Sequence, residues 1–207
     1  MFKDQRWNVY LSKLSLNLDN HLARADIANP YKMHQTLSRI LEPDKNYLWR
    51  LEDTMLLVQS ELHPDWGKLE LGYLAAPSES KEVNLEMFGN LERPLRFRLT
   101  VNPTVTKFDE SSGKNKRHGI NDLEAQLEWL NRQGKGGGFE ILGAMVSQSE
   151  RRRIRKLKSD ADIILQIVTF DGHLRVTNSS DFTQTLTTGL GHSKALGLGL
   201  LSVALGR

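Results

Sequence analysis

Residues 189–202 read GLGHSKALGLGLLS, a glycine-rich turn that leads into an apolar segment near the end of the chain. Glycine tolerates a positive φ and the close approach of another backbone. The stretch has two interpretations of equal weight: a tight turn into a buried strand over residues 198–205, or a concavity of N–H groups that suits phosphate oxygens. Because it matches neither a Walker loop nor a dinucleotide fingerprint, the second interpretation favours a phosphate backbone contacted by Gly189, Gly191 and Lys194.

The segments that precede this turn predict two units with the element order βαββαβ. In the first, strands at residues 8–16, 46–51, 55–60 and 83–88 alternate with helices at 29–42 and 64–74. In the second, a strand at 95–101, a helix at 122–132, strands at 139–146 and 163–170, and a helix at 181–188 precede the final strand. Asp171-Gly172 predicts a hairpin turn into a further strand at 174–177, and residues 109–119 predict a mobile polar loop.

This is the order of a ferredoxin-like unit. The predicted fold class is therefore α+β, with tandem ferredoxin-like (RRM-like) domains at residues 1–90 and 91–207.

The composition limits the function classes. The chain of 207 residues has a net charge of +3 and no cysteine, which excludes disulfides and thiolate metal sites and fits a reducing cytoplasm. We see no signal peptide and no apolar run long enough to cross a membrane, so a cytoplasmic protein without a membrane partner is expected. The 6 histidines are scattered without an H-x-x-x-H pattern, and the sequence predicts neither a metal site nor a cofactor.

One predicted helix carries a candidate acid–base group. Asn29 and Pro30 are typical of a helix N-cap and first helical position, and the spacing of Tyr31 and His34 puts both on one helical face. Histidine is suited to proton transfer near neutral pH, so the pair is a candidate catalytic site. The alternative is an aromatic side chain packed in the core beside a satisfied histidine. Arg39 lies about 140° around the helix from His34, so the spacing does not argue for its participation.

Cations concentrate in several separate elements: the strand at residues 95–101, the loop that follows it, and a dense cluster at 151–158. The predicted contacts to RNA phosphates are Arg96, Arg98, Lys114, Lys116, Arg117, Arg151, Arg152, Arg153, Arg155, Lys156 and Lys158. Arginine offers bidentate contacts to phosphate, and counterion release drives such binding. A solvated charged face is the alternative interpretation of the cluster. Several basic elements on a ferredoxin-like platform favour RNA over a small anion.

Several stretches resemble one known family. Residues 27–38, IANPYKMHQTLS, and residues 189–202 closely resemble the type I-E CRISPR repeat-processing endoribonucleases, called CasE. The strand that ends in Val101-Asn102-Pro103, the strand at residues 47–51 and the order of elements are similar as well, so the resemblance covers nearly the whole chain. A Tyr-x-x-His segment alone is a weak motif, but it is specific when joined to this glycine-rich turn at this distance.

The resemblance implies a metal-independent cut at the base of the stem-loop of a CRISPR repeat RNA. The RNA's own 2′-hydroxyl attacks the scissile phosphate, which leaves a 2′,3′-cyclic phosphate and a 5′-hydroxyl. By resemblance, His34 is the catalytic histidine, Tyr31 is the active-site tyrosine, and Arg39 takes the place of a lysine present in some members. The basic cluster then contacts the repeat hairpin, and the protein stays on the mature guide RNA as a subunit of Cascade.

Two further functions are compatible with the residues alone. An RNA hairpin-binding module without catalysis would use Tyr31 and His34 only for packing. A phosphate-ester enzyme would use the glycine-rich turn for a small ligand and would bind nucleotides without preferring a hairpin. Specific cleavage of a repeat RNA separates these functions from the endoribonuclease.

Overall fold

The computed structural model describes residues 7–42, 46–111, 113–155 and 162–206, and within these ranges the chain is a mixed α+β protein with antiparallel sheets. The strands are β1 (Asn8–Ser15), β2 (Leu48–Glu52), β3 (Met55–Ser60), β4 (Glu79–Asn84), β5 (Leu95–Val101), β6 (Thr104–Asp109), β7 (Lys114–Gly119), β8 (Phe139–Arg155), β9 (Asp162–Val176) and β10 (Leu201–Leu205). The helices are α1 (His21–Ala28), α2 (Pro30–Leu41), α3 (Glu86–Gly89), α4 (Leu123–Gly136) and α5 (Ser179–Thr188). The predicted α+β class is confirmed.

The N-terminal sheet has the strand order β2-β3-β1-β4, and every neighbouring pair is antiparallel. Its core is filled by alternating residues of the strands and by the apolar face of α2. Buried members of this core include Leu14, Met33, Leu37, Leu56 and Val58. Met33 and Leu37 lie one helical turn apart and define the buried face of α2. His34, next to Met33, is therefore placed at the margin of this core.

The C-terminal sheet has the strand order β10-β5-β9-β8, again with antiparallel neighbours. When the separate β6–β7 hairpin is left out, this is the order of the N-terminal sheet listed from its other edge. Helices α4 and α5 pack on it, and its core includes Leu99, Phe170, Phe182 and Leu186. Val9 of β1 belongs to the same buried cluster. The two sheets therefore share part of their apolar interior instead of being joined only by a linker.

Two predicted elements of the N-terminal half were wrong. The helix expected at residues 64–74 is a short 3₁₀ turn at Trp66–Lys68. The indole N–H of Trp66 lies 3.1 Å from the hydroxyl of Ser12 and 3.2 Å from that of Ser80, and this anchor holds the segment across the sheet. The strand expected at residues 83–88 lies instead at 79–84, because β4 pairs with β1 over that range before α3 begins.

Two predicted elements of the C-terminal half were also wrong. The polar loop expected at residues 109–119 is part of a hairpin, because β7 pairs with β6. Asp171 and Gly172 form no turn, since β9 runs through them without a break. A Cβ at Gly172 would overlap the carbonyl oxygen of Gly143 on β8, so this glycine permits close packing of two strands.

Arg50 joins the two sheets through a buried guanidinium group. Its side chain, on β2, donates to the carbonyl of Leu200 at 3.2 Å and to the hydroxyl of Ser202 at 3.0 Å. Its Nε lies 2.7 Å from Glu52. Burial lowers the pKa of Arg50, and the carboxylate of Glu52 opposes that shift. Because buried charges need partners, these bonds tie the N-terminal sheet to β10.

Replacing Arg50 by methionine is expected to destabilise the protein, because the carbonyl of Leu200 and the hydroxyl of Ser202 lose their donor and Glu52 loses its ion pair with Arg50. Breaking a buried pair in this way typically costs about 3–5 kcal/mol. Urea unfolding measures the change. The matched control is Arg175→Met, which breaks an exposed ion pair with Glu140 and should cost about 1 kcal/mol or less. Equal, small losses in both variants would contradict the bridging role.

Candidate functional site

A small hydrophobic cluster draws together three elements that the sequence analysis singled out. Its buried members come from β8, from β9 and from the glycine-rich turn, and they are Ile154, Leu165, Ile167, Leu196 and Leu198. Tyr31 of α2 packs against them. The helix that carries His34, the basic end of β8 and the glycine-rich turn therefore meet at one place.

The start of α2 fixes the position of the candidate acid–base group. The side chain of Asn29 accepts a hydrogen bond from the N–H of Tyr31 at 2.9 Å, and Pro30 takes the first helical position. This cap satisfies a donor that a helix N-terminus otherwise leaves free. Tyr31 and His34 thus lie in the well-defined first turns of the helix, as predicted.

His34 lines a cleft of about 630 Å³ between the two halves of the protein. Other lining residues include Trp7, Tyr47 and Glu61 from the N-terminal half and Gln184, Thr187 and Lys194 from the C-terminal half. The Nδ1 atom of His34 lies 2.7 Å from the hydroxyl of Tyr47, which lies 2.8 Å from the hydroxyl of Ser38. Partial burial lowers the pKa of His34, which favours the neutral imidazole at pH 7.

Lys194 brings a cation to the same cleft from a distant part of the sequence. It begins a 3₁₀ turn, Lys194–Leu196, in which the N–H of Gly197 bonds to the carbonyl of Lys194 at 3.1 Å. Partial burial lowers the pKa of its ammonium group. The structure therefore joins two candidates that the sequence analysis placed in separate roles: the imidazole of His34 and the amine of Lys194.

The glycine-rich turn is held against β2 by close packing. A Cβ at Gly197 would come within 2.6 Å of the ring of Trp49, and one at Gly189 within 2.9 Å of the Leu48 side chain. Both glycines have positive φ, 81° and 71° respectively. The tight-turn interpretation accounts for these two residues. A Cβ at Gly191 would meet no atom closer than 3.5 Å, and the phosphate contacts of Gly189 and Gly191 stay predictions.

Tyr31 and Arg39 lie away from the lining of the His34 cleft. Tyr31 packs on the small hydrophobic cluster. Arg39 is exposed. Burial raises the pKa of Tyr73, and the positive charge of Arg39 opposes that rise. The hydroxyl of Tyr73 donates to Asp26 at 2.7 Å. The catalytic roles of Tyr31 and Arg39 thus stay predictions, whereas Lys194 is the cation that the structure places in the cleft with His34.

The basic cluster forms the end of β8. Arg151, Arg153 and Arg155 alternate along the strand with Arg152 and the buried Ile154. Because alternate residues of a strand share a face, Arg152 is directed with Ile154 toward the groove between the halves, where it lines a second cleft. The other three arginines project from the opposite face, and all four are exposed.

Ion pairs in this cluster are long and exposed. Arg152 lies 3.4 Å from Glu150, and Arg153 lies 3.6 Å from Asp162. Such pairs add little stability, so these arginines can exchange their partners for phosphates. Lys156 and Lys158, also predicted to contact RNA, lie outside the described residues.

The predicted contacts Lys114, Lys116 and Arg117 lie on β7, in a hairpin that belongs to neither of the two large sheets. Every residue of β7 is exposed. Lys116 stands directly opposite Lys107 of β6 and forms an ion pair with Asp109. Like charges placed opposite each other are unfavourable unless a counter-charge is near, so this arm suits a polyanionic partner.

Arg96 and Arg98 share the exposed face of β5 but differ in their partners. Arg98 donates to the carboxylate of Asp171 at 2.7 and 3.2 Å and lies 3.2 Å from Glu52. Partial burial would raise the pKa of Asp171, but hydrogen bonds from Arg98 and Ser147 outweigh it and lower that pKa. Across the described ranges Arg96 has no ion-pair partner. The charge of Arg98 is thus compensated by carboxylates, and the RNA contacts expected of Arg96 and Arg98 stay predictions.

Among the described residues, neither a metal cluster nor a membrane-spanning helix accompanies these features. No group of three or more His, Asp or Glu side chains could hold a metal ion within the described ranges. No described helix has the length and apolar character that crossing a membrane requires.

Comparison with known proteins identifies the family. A family model for CRISPR associated proteins matches residues 9–204. The chain is 35% identical over 218 residues to the CRISPR-associated endoribonuclease Cse3 of Thermus thermophilus, covering 95% of this chain and 100% of that protein. The chain belongs to the CasE family. Escherichia coli K12 contains another CasE relative, a CRISPR system Cascade subunit, which is 28% identical over 95% of this chain and 99% of its own.

Solved structures of CasE relatives have the same fold. A structure of Cse3 bound to a 19-nucleotide RNA superposes with a TM-score of 0.81 at 35% identity, covering 96% of this chain and 100% of that one. The E. coli protein Cas6e gives a TM-score of 0.67 at 25% identity, with 94% and 98% covered. The family resemblance carried by residues 27–38 and 189–202 is confirmed.

Sequence reasoning missed two hydroxyl groups beside His34. Tyr47 stood out only as part of a predicted strand, and Ser38 had no assigned role. They meet His34 because the start of β2 returns alongside α2, a contact that no local pattern specifies. The one available signal was an aromatic residue with a polar tip just before a buried strand, which is typical of a hydroxyl that finds a partner at a core margin.

Paired alanine variants of Arg96 and Arg98 separate binding from stability. Arg96→Ala should weaken binding of a repeat RNA and leave unfolding unchanged. Arg98→Ala should lower stability as well, because it leaves Asp171 and Glu52 without their shared cation.

Since Asp171 has a lowered pKa, its contribution to the stability of the fold is present above pH ~4 and is lost as the pH falls. In Arg98→Ala, the loss of stability between pH 6 and pH 3, measured by acid unfolding, should therefore be smaller than in the parent protein.

Proposed function

We propose that this CasE protein is a metal-independent endoribonuclease that cuts CRISPR precursor RNA at the base of the repeat stem-loop. After cleavage it retains the mature guide RNA within Cascade. The observation that carries the proposal is the cleft shared by His34 and Lys194, in a chain whose full-length relative is an endoribonuclease. The strand order fourth-first-third-second recurs in both halves, which supports two ferredoxin-like domains at residues 1–90 and 91–207.

The reaction is a transesterification within the RNA. The 2′-hydroxyl next to the scissile phosphate attacks phosphorus, the bond from phosphorus to the 5′-oxygen breaks, and the leaving oxygen takes up a proton. The products are a 2′,3′-cyclic phosphate and a 5′-hydroxyl. Because the RNA supplies the nucleophile, the protein needs to provide proton transfer, alignment and charge stabilisation.

His34 supplies the proton transfer. Its lowered pKa keeps a neutral imidazole present near pH 7, which can accept the proton of the 2′-hydroxyl. The cationic form, which increases as the pH falls, can instead protonate the leaving oxygen. A single group of this kind typically contributes about 10² to 10⁴ in rate.

Lys194 stabilises the negative charge that develops on the phosphoryl oxygens. A cation held in a cleft acts more strongly there than in open water, because the surrounding dielectric is lower. The tight packing of the glycine-rich turn fixes the backbone that carries this lysine. Tyr31 and Arg39 are proposed to align the RNA at the entrance, with Tyr31 near the basic end of β8.

The stem of the repeat RNA is held by separate cationic elements. A-form RNA is recognised mainly through its shape and its phosphates, which suits the exposed arginines of β8, the β6–β7 arm and Arg96. The glycine-rich turn adds N–H groups near the cut. One relative, Cse3, has a structure bound to RNA, and another relative is a Cascade subunit. On that basis we propose RNA and other Cascade subunits as partners of this protein.

His34→Ala is expected to fold and to bind the cognate repeat RNA like the parent protein, while cleavage falls by about 10² to 10⁴. The assay is run in EDTA, so that persistent cleavage by the parent protein also tests metal independence. A 2′-deoxy nucleotide at the cut site should block the parent protein, because the nucleophile is absent.

Three results would contradict the proposal: undiminished cleavage by folded His34→Ala, cleavage that needs added Mg²⁺, or cutting of the 2′-deoxy substrate. Binding of the repeat by the parent protein without any cleavage would instead identify a hairpin-binding module.

Replacing Arg151, Arg152, Arg153 and Arg155 together by alanine should weaken RNA binding and flatten its salt dependence. Each lost phosphate contact should reduce the log–log slope by about 0.7 to 0.9. A charge-matched control removes four exposed cations from other surfaces: Lys13, Lys68, Lys81 and Arg175. The control should leave the slope nearly unchanged. If both variants change the slope equally, net charge and not the β8 cluster drives binding.

A further inference from the structure

Nδ1 of His34 lies at one end of a chain of two hydroxyl groups, those of Tyr47 and Ser38. Nδ1 of His34 lies 2.7 Å from the hydroxyl of Tyr47, and the rings are 5.9 Å apart between centroids. The same hydroxyl lies 2.8 Å from Oγ of Ser38 and 3.4 Å from the backbone carbonyl of His34. With Nδ1 engaged in this way, Nε2 is the nitrogen that can reach an RNA in the cleft.

Both catalytic forms of His34 carry a proton on Nδ1 if Nε2 is the reacting atom. A general base needs a lone pair on Nε2, so the proton of the neutral ring is on Nδ1. A general acid is the cation, in which both nitrogens carry protons. In either form Nδ1–H must donate, and the oxygen of Tyr47 is the acceptor at hydrogen-bond distance.

Ser38 lets Tyr47 act as that acceptor. A tyrosine hydroxyl has a single hydrogen to donate. Ser38 Oγ, one turn after His34 on α2, can take it at 2.8 Å. The Tyr47 oxygen can then accept from Nδ1–H of His34, which lies 2.7 Å away.

We propose that Tyr47, with Ser38 behind it, is a positioning residue that holds His34 as the Nδ1–H form and directs Nε2 toward the RNA. The catalytic part of this inference rests on the function proposed above, and the tautomer part does not. The arrangement resembles the way a second group fixes the tautomer of a histidine in other enzymes. Here the orienting group is neutral, so it fixes the ring without raising the pKa of His34 as a carboxylate would.

The tautomer is measured by NMR on the RNA-free protein labelled with ¹⁵N-histidine, and the His34 signals are assigned by their loss in His34→Ala. Glu61 and Lys194 also line the cleft, so all variants are compared at the same pH, near 8, where the imidazole is neutral. The parent protein should show the Nδ1–H tautomer. Tyr47→Phe should shift His34 toward Nε2–H. Ser38→Ala should shift it less, because the His34 carbonyl is still an acceptor for Tyr47.

Cleavage and RNA affinity are measured on the same variants. Tyr47→Phe should lower cleavage by about 10- to 100-fold, less than the loss of His34 itself, at unchanged affinity for the repeat RNA. The matched control is Tyr10→Phe, in which the tyrosine ring contacts another histidine, His63, with centroids 4.9 Å apart. This control should alter neither the His34 signals nor the rate.

An Nε2–H tautomer in the parent protein, or a Tyr47→Phe protein with an unchanged tautomer or an unchanged rate, would overturn the inference. If Tyr47→Phe fails to fold, Ser38→Ala decides by the same two measurements. Normal cleavage by His34→Ala would overturn the proposed catalyst but would leave the tautomer result standing, so the two failures can be told apart.

Discussion

The packing of the Trp49 ring on Gly197 fixes the place at which the two halves of the protein meet. Any side chain larger than hydrogen at Gly197 would enter the ring of Trp49. The indole N–H of Trp49 is buried and has no hydrogen-bond partner in the described part of the chain. Packing, not polar contact, therefore places this ring. Arg50, the next residue, bonds to Leu200 and Ser202, so two consecutive residues of β2 contact the glycine-rich turn and the apolar segment that follows it.

Two groups of cations in the described part of the chain have different physical roles. Arg50 and Arg98 are matched by carboxylates and hold the halves together. The arginines at the end of β8 are exposed and have long ion pairs, and the lysines of the β6–β7 arm are exposed as well. A net charge of +3 hides this division, because the acidic residues that lower it include those that neutralise the structural arginines. The cations of the second group, together with Arg96 and Lys194, are the ones proposed to contact a phosphate backbone.

The sequence was sufficient for the features that depend on local chemistry. The cap at Asn29, the strand with alternating Arg96 and Arg98, and the glycine-rich turn all follow from residue type and spacing, and the structure has each of them. It was insufficient where tertiary contacts decide. Trp66 anchors a segment that its spacing suggests is helical, and Gly172 serves strand packing where Asp-Gly suggests a turn. The neighbours of His34 could not be predicted either, since Tyr47 and Lys194 reach it only through the path of the folded chain.

The described residues of the β6–β7 arm are nearly all exposed, and this sets how the arm is expected to behave. Its base is docked on β9, where Oδ1 of Asn102 accepts from the N–H of Gln166 at 3.1 Å and Gly119 allows close contact with the same residue. Beyond that base, cross-strand pairing and the ion pair of Lys116 with Asp109 order the arm, and an isolated two-stranded hairpin is marginally stable in water. We therefore expect the arm to open separately from the large sheets, with amides that exchange with solvent faster than theirs. If the arm binds a polyanion, part of the binding free energy is spent on ordering the arm, which shortens the lifetime of the contacts.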